Sequence, residues 1–437
     1  MVHAVGAGGF GYFEVTHDVS KYTKAKFLNG PGKHTPICVR FSTTLGEAGF
    51  SDTDRDPRGF AIKLYTEEGI CDFVCNNTPF FFIRDPIKFP DVIHSRKRHP
   101  QTHMRDPSMS WDFISLNPES IQNIMFLFSE RGISDGYRHM DGFSAHTYKW
   151  VNAKGEPFLV KYHIKADAGV KNLSPAQVKK IEQRTKDYHT EDLFNHLASG
   201  KVASWTFFIQ AMPEAEAAGY RYDVTDITKI WPHGDYPLIP VGKFVLNRNP
   251  SNFFAEMEQV AFSPGNIIPG IELSNDRILQ ARVFSYPDTQ RHRLGPNFEQ
   301  IPVNCPLYGQ VYNYQRDGPA TVNGNQGSAV NYEPNSLGGP VEDPSKAALR
   351  YEVKGFAGRN VFENMGDVDY EQPRQLWVKV FKEESRAYLV NAMAGSMMKA
   401  RLDIKERMIK LCSRVHPDFG ERLAKALGIP PAPEAKL

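Results

Sequence analysis

The chain has 437 residues, 41% of them hydrophobic, enough for one large core or two to three ordinary ones. Lysine plus arginine (52) nearly balances aspartate plus glutamate (50), which excludes the strong field that recruits nucleic acid or an anionic membrane and suits a small or neutral ligand. No apolar stretch approaches the roughly 20 residues of a bilayer span, and MVHAVGAGGF has neither a basic nor an apolar signal region, so a soluble, non-secreted protein is expected.

At the N-terminus, Gly6, Gly8 and Gly11 satisfy GxGxxG. Too few residues precede Gly6 to form a first strand, and Tyr12 to Thr16 reads as strand where a dinucleotide fold needs helix. From about residue 10 to 250 the signal is strand-rich, with β-branched and aromatic runs at Cys38 to Thr43, Gly59 to Thr66, Ile70 to Asn76, Pro157 to Ala166, Trp205 to Gln210 and Lys243 to Asn247. This pattern predicts an antiparallel sheet or barrel. Glu67-Glu68-Gly69 falls between two runs as a hairpin connection. A helical patch is expected from Ser174 to His196, where Val178, Ile181 and Phe194 fall at mixed helical spacings.

From about 264 to 350 glycine, proline and asparagine dominate, over a length no ordinary connection reaches. The apolar residues Phe298, Ile301, Val303, Leu307, Tyr308, Val311 and Tyr312 predict that this stretch wraps another surface. From about 373 the chain reads as helical: Leu389, Met393 and Met397 recur every four residues, and His416-Pro417-Asp418 interrupts before a last helix near Glu421 to Leu427. A tail with Pro430, Pro431 and Pro433 ends in Ala435-Lys436-Leu437, a one-residue variant of the SKL peroxisomal address. The five cysteines, Cys38, Cys71, Cys75, Cys305 and Cys412, are odd in number and lack CxxC spacing, so reduced intracellular thiols are expected. HExxH, P-loop and GxSxG signatures are absent, and the sequons at Asn76 and Asn172 carry no weight without a secretory signal.

The richest chemical string is RVFSYPDTQRHR, from Arg282 to Arg293. Pro287 disfavours helix at the preceding residue, which predicts Tyr286 at a helix end whose last turn carries Arg282. The four-residue spacing puts both on one helical face. Two readings stand: a helix end decorated with bases, or a tyrosinate ligand to ferric haem. The second requires a phenol of reference pKa near 10 to fall by about three units, roughly 4 kcal/mol, which needs cations on both sides.

The string RVFSYPDTQRHRLG resembles the proximal signature of haem catalases, and VHAVGAGGFGYFEVT, RFST, RDPRGFA, NNTPFFFIRDPIKFPD, WDF, DGYRHM, FSAHTYKWVN, WPHGDYPLIPVGKFVLNRNP and PVNCP resemble that family in order along almost the whole chain. The resemblance implies an α+β catalase fold: an antiparallel β-barrel core with helical insertions over 1–248, a wrapping segment with the proximal helix over 249–366, and a C-terminal helical domain over 367–437. It implies disproportionation of hydrogen peroxide through a high-valent haem, with haem b as cofactor. His3 would be the acid/base group, Asn76 its hydrogen-bonding companion and Ser42 its buttress, while Tyr286 would ligate the iron beside Arg282. Val2 and Phe89 would lie against the ring and His146 near it, with Arg40 and Arg293 on the propionates.

Ser129, Arg131, Lys165 and His233 match the family's NADPH site, which the resemblance allows here, although Gln122 stands where histidine is common and Asp141 where a neutral residue is. Thr44 stands where many members have valine. Members usually carry a long N-terminal arm, with a propionate arginine three residues before the distal histidine, a position that precedes Met1. A homotetramer, weakened without that arm, is the expected assembly, and the peroxisome, reached through an import receptor, or else the cytoplasm, the expected place. Rival readings are a catalytically silent haem-binding relative and an enzyme of this fold acting on lipid hydroperoxides.

Overall fold

The computed structural model describes residues 2–47, 49–307, 311, 313–348 and 366–430. The tail prolines Pro431 and Pro433, the Ala435-Lys436-Leu437 ending and the expected anchors Tyr308 and Tyr312 lie outside the described residues.

Among the described residues ten strands form one sheet: β1 (Gly6–Val15), β2 (His34–Thr43), β3 (Arg58–Thr66), β4 (Gly69–Asn76), β5 (Gly142–Phe143), β6 (Tyr148–Val151), β7 (Pro157–Ala166), β8 (Ala203–Pro213), β9 (Ile239–Arg248) and β10 (Ile271–Leu273). Eight close into an antiparallel barrel in the order β7-β5-β4-β3-β2-β1-β9-β8, because β8 returns to pair with β7 from Phe158↔Pro213 to Ala166↔Trp205. β6 continues past β5 along β7, and β10 adds to β6. Glu67 and Glu68 form the two-residue connection between β3 and β4, as the sequence pattern predicts, with Gly69 at φ 125°.

Alternation of period two decides which side chains fill the barrel. Ile37, Val39, Phe41, Phe60, Ile62, Leu64, Cys71, Phe73 and Cys75 point inward to a core completed by Trp205, Phe207 and Phe244. The intervening residues therefore face outward, where Phe10, Ala61 and Val74 meet Met257, Val260, Phe262 and Val303 from the later chain. The GxGxxG spacing belongs to β1: a Cβ at Gly8 would stand 2.2 Å from Val39 O, and one at Gly11 1.9 Å from Val245 O. These glycines permit close strand approach and cradle no phosphate.

The helices are α1 (Phe89–Ser95), α2 (Pro107–Leu116), α3 (Ile121–Phe128), α4 (Pro175–Glu182), α5 (Tyr188–Ala198), α6 (Arg277–Leu294), α7 (Val368–Gln375), α8 (Glu383–Met397), α9 (Leu402–Val415) and α10 (Pro417–Leu427). The patch expected from Ser174 to His196 is two helices. Ser174 and Gln177 build a capping box on α4, which ends before a separate start at Tyr188, and Phe194 is exposed. α10 begins four residues before the expected Glu421, because Pro417 suits a first helical position and His416 caps it, accepting from Asp418 N. Leu389, Met393 and Met397 of α8 are fully buried, packed with Trp111, Ile121 and Met125 from α2 and α3.

The wrapping expectation holds at Ile301 and Val303, which join the outer barrel cluster, and Tyr65 Oη donates to Val303 O at 2.7 Å. Leu307 departs from it, lying 57% exposed. α6 corrects the helix-end reading of Tyr286: the helix runs on through Pro287 to Leu294. A proline removes one backbone hydrogen bond, and the segments on both sides hold the helix together. Asp276 caps its start through Leu279 N at 3.0 Å, and Arg293 near its end donates to the carbonyls of Glu258 and Val260.

Candidate functional site

The site grows from one row of the sheet. Gly6 pairs with Ser42, Ser42 with Gly59, and Gly59 with Asn76, so four adjacent strands present these residues side by side on the outer face. The next row is Gly8, Arg40, Ala61 and Val74. His3, just ahead of β1, is held over the first row at φ 58°, with its N–H on Thr44 O at 3.0 Å and its Nδ1 paired with Ser42 Oγ at 2.8 Å. A side chain at Gly59 would come within 2.9 Å of that Nδ1 and 2.5 Å of Ser42 Oγ. Gly59 is thus part of the site, and only the strand register reveals it.

Burial, followed by the positive charges of Arg40 and Arg282, pushes His3 down to about 4 against a hydrogen bond with the Thr43 backbone. The imidazole is therefore neutral at pH 7 and able to accept a proton.

Opposite the row, α6 brings Arg282 and Tyr286 to the sheet. Arg282 donates through Nη1 and Nη2 to Val74 O at 3.2 Å and through Nη2 to Tyr286 Oη at 2.7 Å. The i,i+4 pairing expected of these residues is present, and Pro287 does not disturb it. His146 Nδ1 lies 2.7 Å from Asp276 Oδ2, both buried, so a histidine next to β6 is tied to the cap of the helix that carries Tyr286. Burial lowers the His146 pKa against the opposing pull of Asp276.

Arg40 donates to the carbonyls of His3 (3.1 Å) and Ala4 (3.3 Å), and Arg293 to those of Glu258 and Val260 and to Gln290 Oε1. Each is half-buried, forms no ion pair among the described residues, and Arg293 also feels the repulsion of Arg40. Two enclosed guanidiniums held by carbonyls alone fit a ligand that brings its own carboxylates. Val2 lines a cleft with Leu45, Phe50 and Ile93, and Phe89 opens α1 with its ring 6.3 Å from Phe81. Thr44 gives its hydroxyl to Pro57 O at 2.7 Å.

A second group gathers across β7. Lys165 Nζ lies 3.1 Å and Arg131 Nη2 3.5 Å from the same Asp141 oxygen, His233 sits 5.5 Å ring to ring from His163, and buried Ser129 accepts from Arg131 N at 3.2 Å. Gln122 is buried, its Oε1 without a hydrogen-bond partner. Asp141 thus holds both cations that a phosphate would need.

The sequence profile of the family described as "Catalase" matches residues 1–339. The chain belongs to the catalase family. A second profile, "Catalase-related immune-responsive", matches 365–427. The catalase of Cavia porcellus is 54% identical over 427 residues, covering 98% of this chain and 81% of that protein. The "Peroxisomal catalase" of Toxoplasma gondii is 52% identical over 435 residues, covering 99% and 86%. A crystal structure of a fungal catalase superposes with a TM-score of 0.94 at 45% identity, covering 98% of this chain and 87% of the other. Catalases decompose hydrogen peroxide to water and dioxygen with haem, and that is the activity of this chain. The silent and lipid-hydroperoxide readings find no support in relatives this similar.

Proposed function

We propose that the His3 row and α6 divide the catalase reaction between them, with haem b held by residues of both. The observation that carries this is two half-buried guanidiniums, Arg40 and Arg293, that bond to carbonyls and form no ion pair among the described residues. These would hold the propionates, Tyr286 would offer its phenol oxygen to the iron, and Val2, Phe89 and His146 would border the ring. Haem, when bound, would supply the two electrons that reduce one peroxide and would recover them from a second.

His3 does the proton work. Ser42 occupies Nδ1, which leaves Nε2 to take a proton from one peroxide oxygen and deliver it to the other, which departs as water. Its neutrality at pH 7 makes the first transfer possible. Asn76 offers its amide to the departing oxygen. Arg282 donates to Tyr286 Oη and fixes the position of that oxygen. Two peroxides give two waters and one dioxygen, so no outside reductant is consumed. The test is His3→Ala: haem content is expected to stay at the wild-type level while peroxide consumption falls by about 100-fold or more, the range of a lost acid/base group. A wild-type rate would remove His3 from the reaction.

NADPH at Ser129, Arg131, Lys165 and His233 would have to displace Asp141 from its two cations, so weak binding is the expected outcome. Assembly as a homotetramer and import into the peroxisome through the Ala435-Lys436-Leu437 tail complete the reading. The peroxisomal name of the Toxoplasma gondii relative supports the compartment.

A further inference from the structure

A cleft opens beside Val2, the neighbour of His3. Val2, Leu45, Phe50 and Ile93 make its apolar wall. Arg96, Lys97, Arg98 and Arg105 make the other, and Glu47 is the one carboxylate among the lining residues. Arg98 Nε stands 3.5 Å from Glu47, and Arg105 lies 4.3 Å from the centre of the Phe50 ring with Asp54 acting on it.

Arg96 is different. Its guanidinium sits 3.9 Å from the centre of the Phe82 ring and, among the described residues, makes no ion pair and no hydrogen bond. Burial pushes it down to about 10 even against the pull of Asp56. Asp56 does not reach it: one carboxylate oxygen accepts from Thr44 N and Leu45 N at 2.6 and 2.7 Å, and the other is buried without a partner. A guanidinium carries five N–H donors in a rigid fork that matches two oxygens of a carboxylate or phosphate. Here that fork is stacked on an aromatic face, unsatisfied, inside a cleft with excess positive charge.

We propose that this cleft is an oxyanion site in which Arg96 takes a carboxylate or phosphate group bidentately, drawn in by Lys97 and Arg105. An anion seated there lies against Val2 and obstructs peroxide on its way to His3. The obstruction rests on the assignment of His3 to the peroxide chemistry; the binding does not.

The probe is inorganic phosphate, titrated calorimetrically into haem-loaded protein at constant ionic strength held with chloride. One saturable site is expected, weakened at least tenfold in Arg96→Gln, with the Soret band unmoved. The rate of peroxide consumption should fall in step with occupancy in the wild type and stay unchanged by phosphate in the variant. No saturable heat, or equal affinity in Arg96→Gln, overturns the site, and a displaced Soret band does so by putting the anion on the haem instead. Should Arg96→Gln fail to fold, Arg96→Lys retains the charge without the fork and is expected to bind at least threefold more weakly; undiminished affinity there also overturns the proposal. Binding with no loss of rate contradicts the obstruction, whereas phosphate binding to the wild type together with a wild-type rate in His3→Ala contradicts the His3 assignment alone.

Discussion

At the scale of single residues, the site depends on groups whose ordinary chemistry has been altered by their surroundings. His3 stays neutral down to about pH 4, since burial and two arginines disfavour its cation. The base form is present above that value and is lost as pH falls through it. Peroxide consumption is therefore expected to be level from about pH 6 upward and to decline below about 5, as an initial-rate profile with haem content checked at each pH would show. A decline centred near 6.5 would mean that His3 titrates as in water. Gly59→Ala should retain haem but lower the rate, because the added methyl meets His3 Nδ1 and Ser42 Oγ. Asp141→Asn frees Lys165 and Arg131 and should tighten NADPH at least tenfold in a fluorescence titration; unchanged affinity would separate those cations from the nucleotide. His3, Asn76 and Tyr286 are legible in the sequence only through the motifs around them. Gly59 is not legible, because its role arises from a register that closes only in the folded sheet.

At the scale of elements, the strands are legible as β-branched and aromatic runs between turns, as in β3, β4 and β7. The local rule fails at α6, where Pro287 predicts a helix end and the helix runs on between anchors at both termini. Those anchors are remote in sequence: Asp276 holds His146, and Arg293 reaches the carbonyls of Glu258 and Val260. Asp276→Ala removes both the cap and the partner of a buried imidazole. A loss of about 1 to 2 kcal/mol from the cap and weaker haem retention are expected, read by thermal unfolding and by the Soret absorbance after gel filtration. Unaltered haem retention would show that the cap does not position Tyr286.

At the scale of the whole molecule, the C-terminal helices are fastened to the barrel side by charge as well as by apolar packing. Arg84 bridges Asp226 at 3.0 Å and also Asp369 of α7, and Lys229 reaches Asp369 at 3.0 Å, all four side chains being buried. Breaking a buried pair strands the remaining charges, so Asp369→Ala should cost about 3 to 5 kcal/mol in thermal or denaturant unfolding, with an effect below 1 kcal/mol showing that packing alone holds the helices. No periodicity announces this network, because its members lie far apart along the chain. Purified protein, its haem quantified by Soret absorbance, should release dioxygen rapidly from millimolar hydrogen peroxide with no added reductant, one dioxygen for every two peroxides consumed. Protein that binds haem in full and releases no dioxygen would contradict the account.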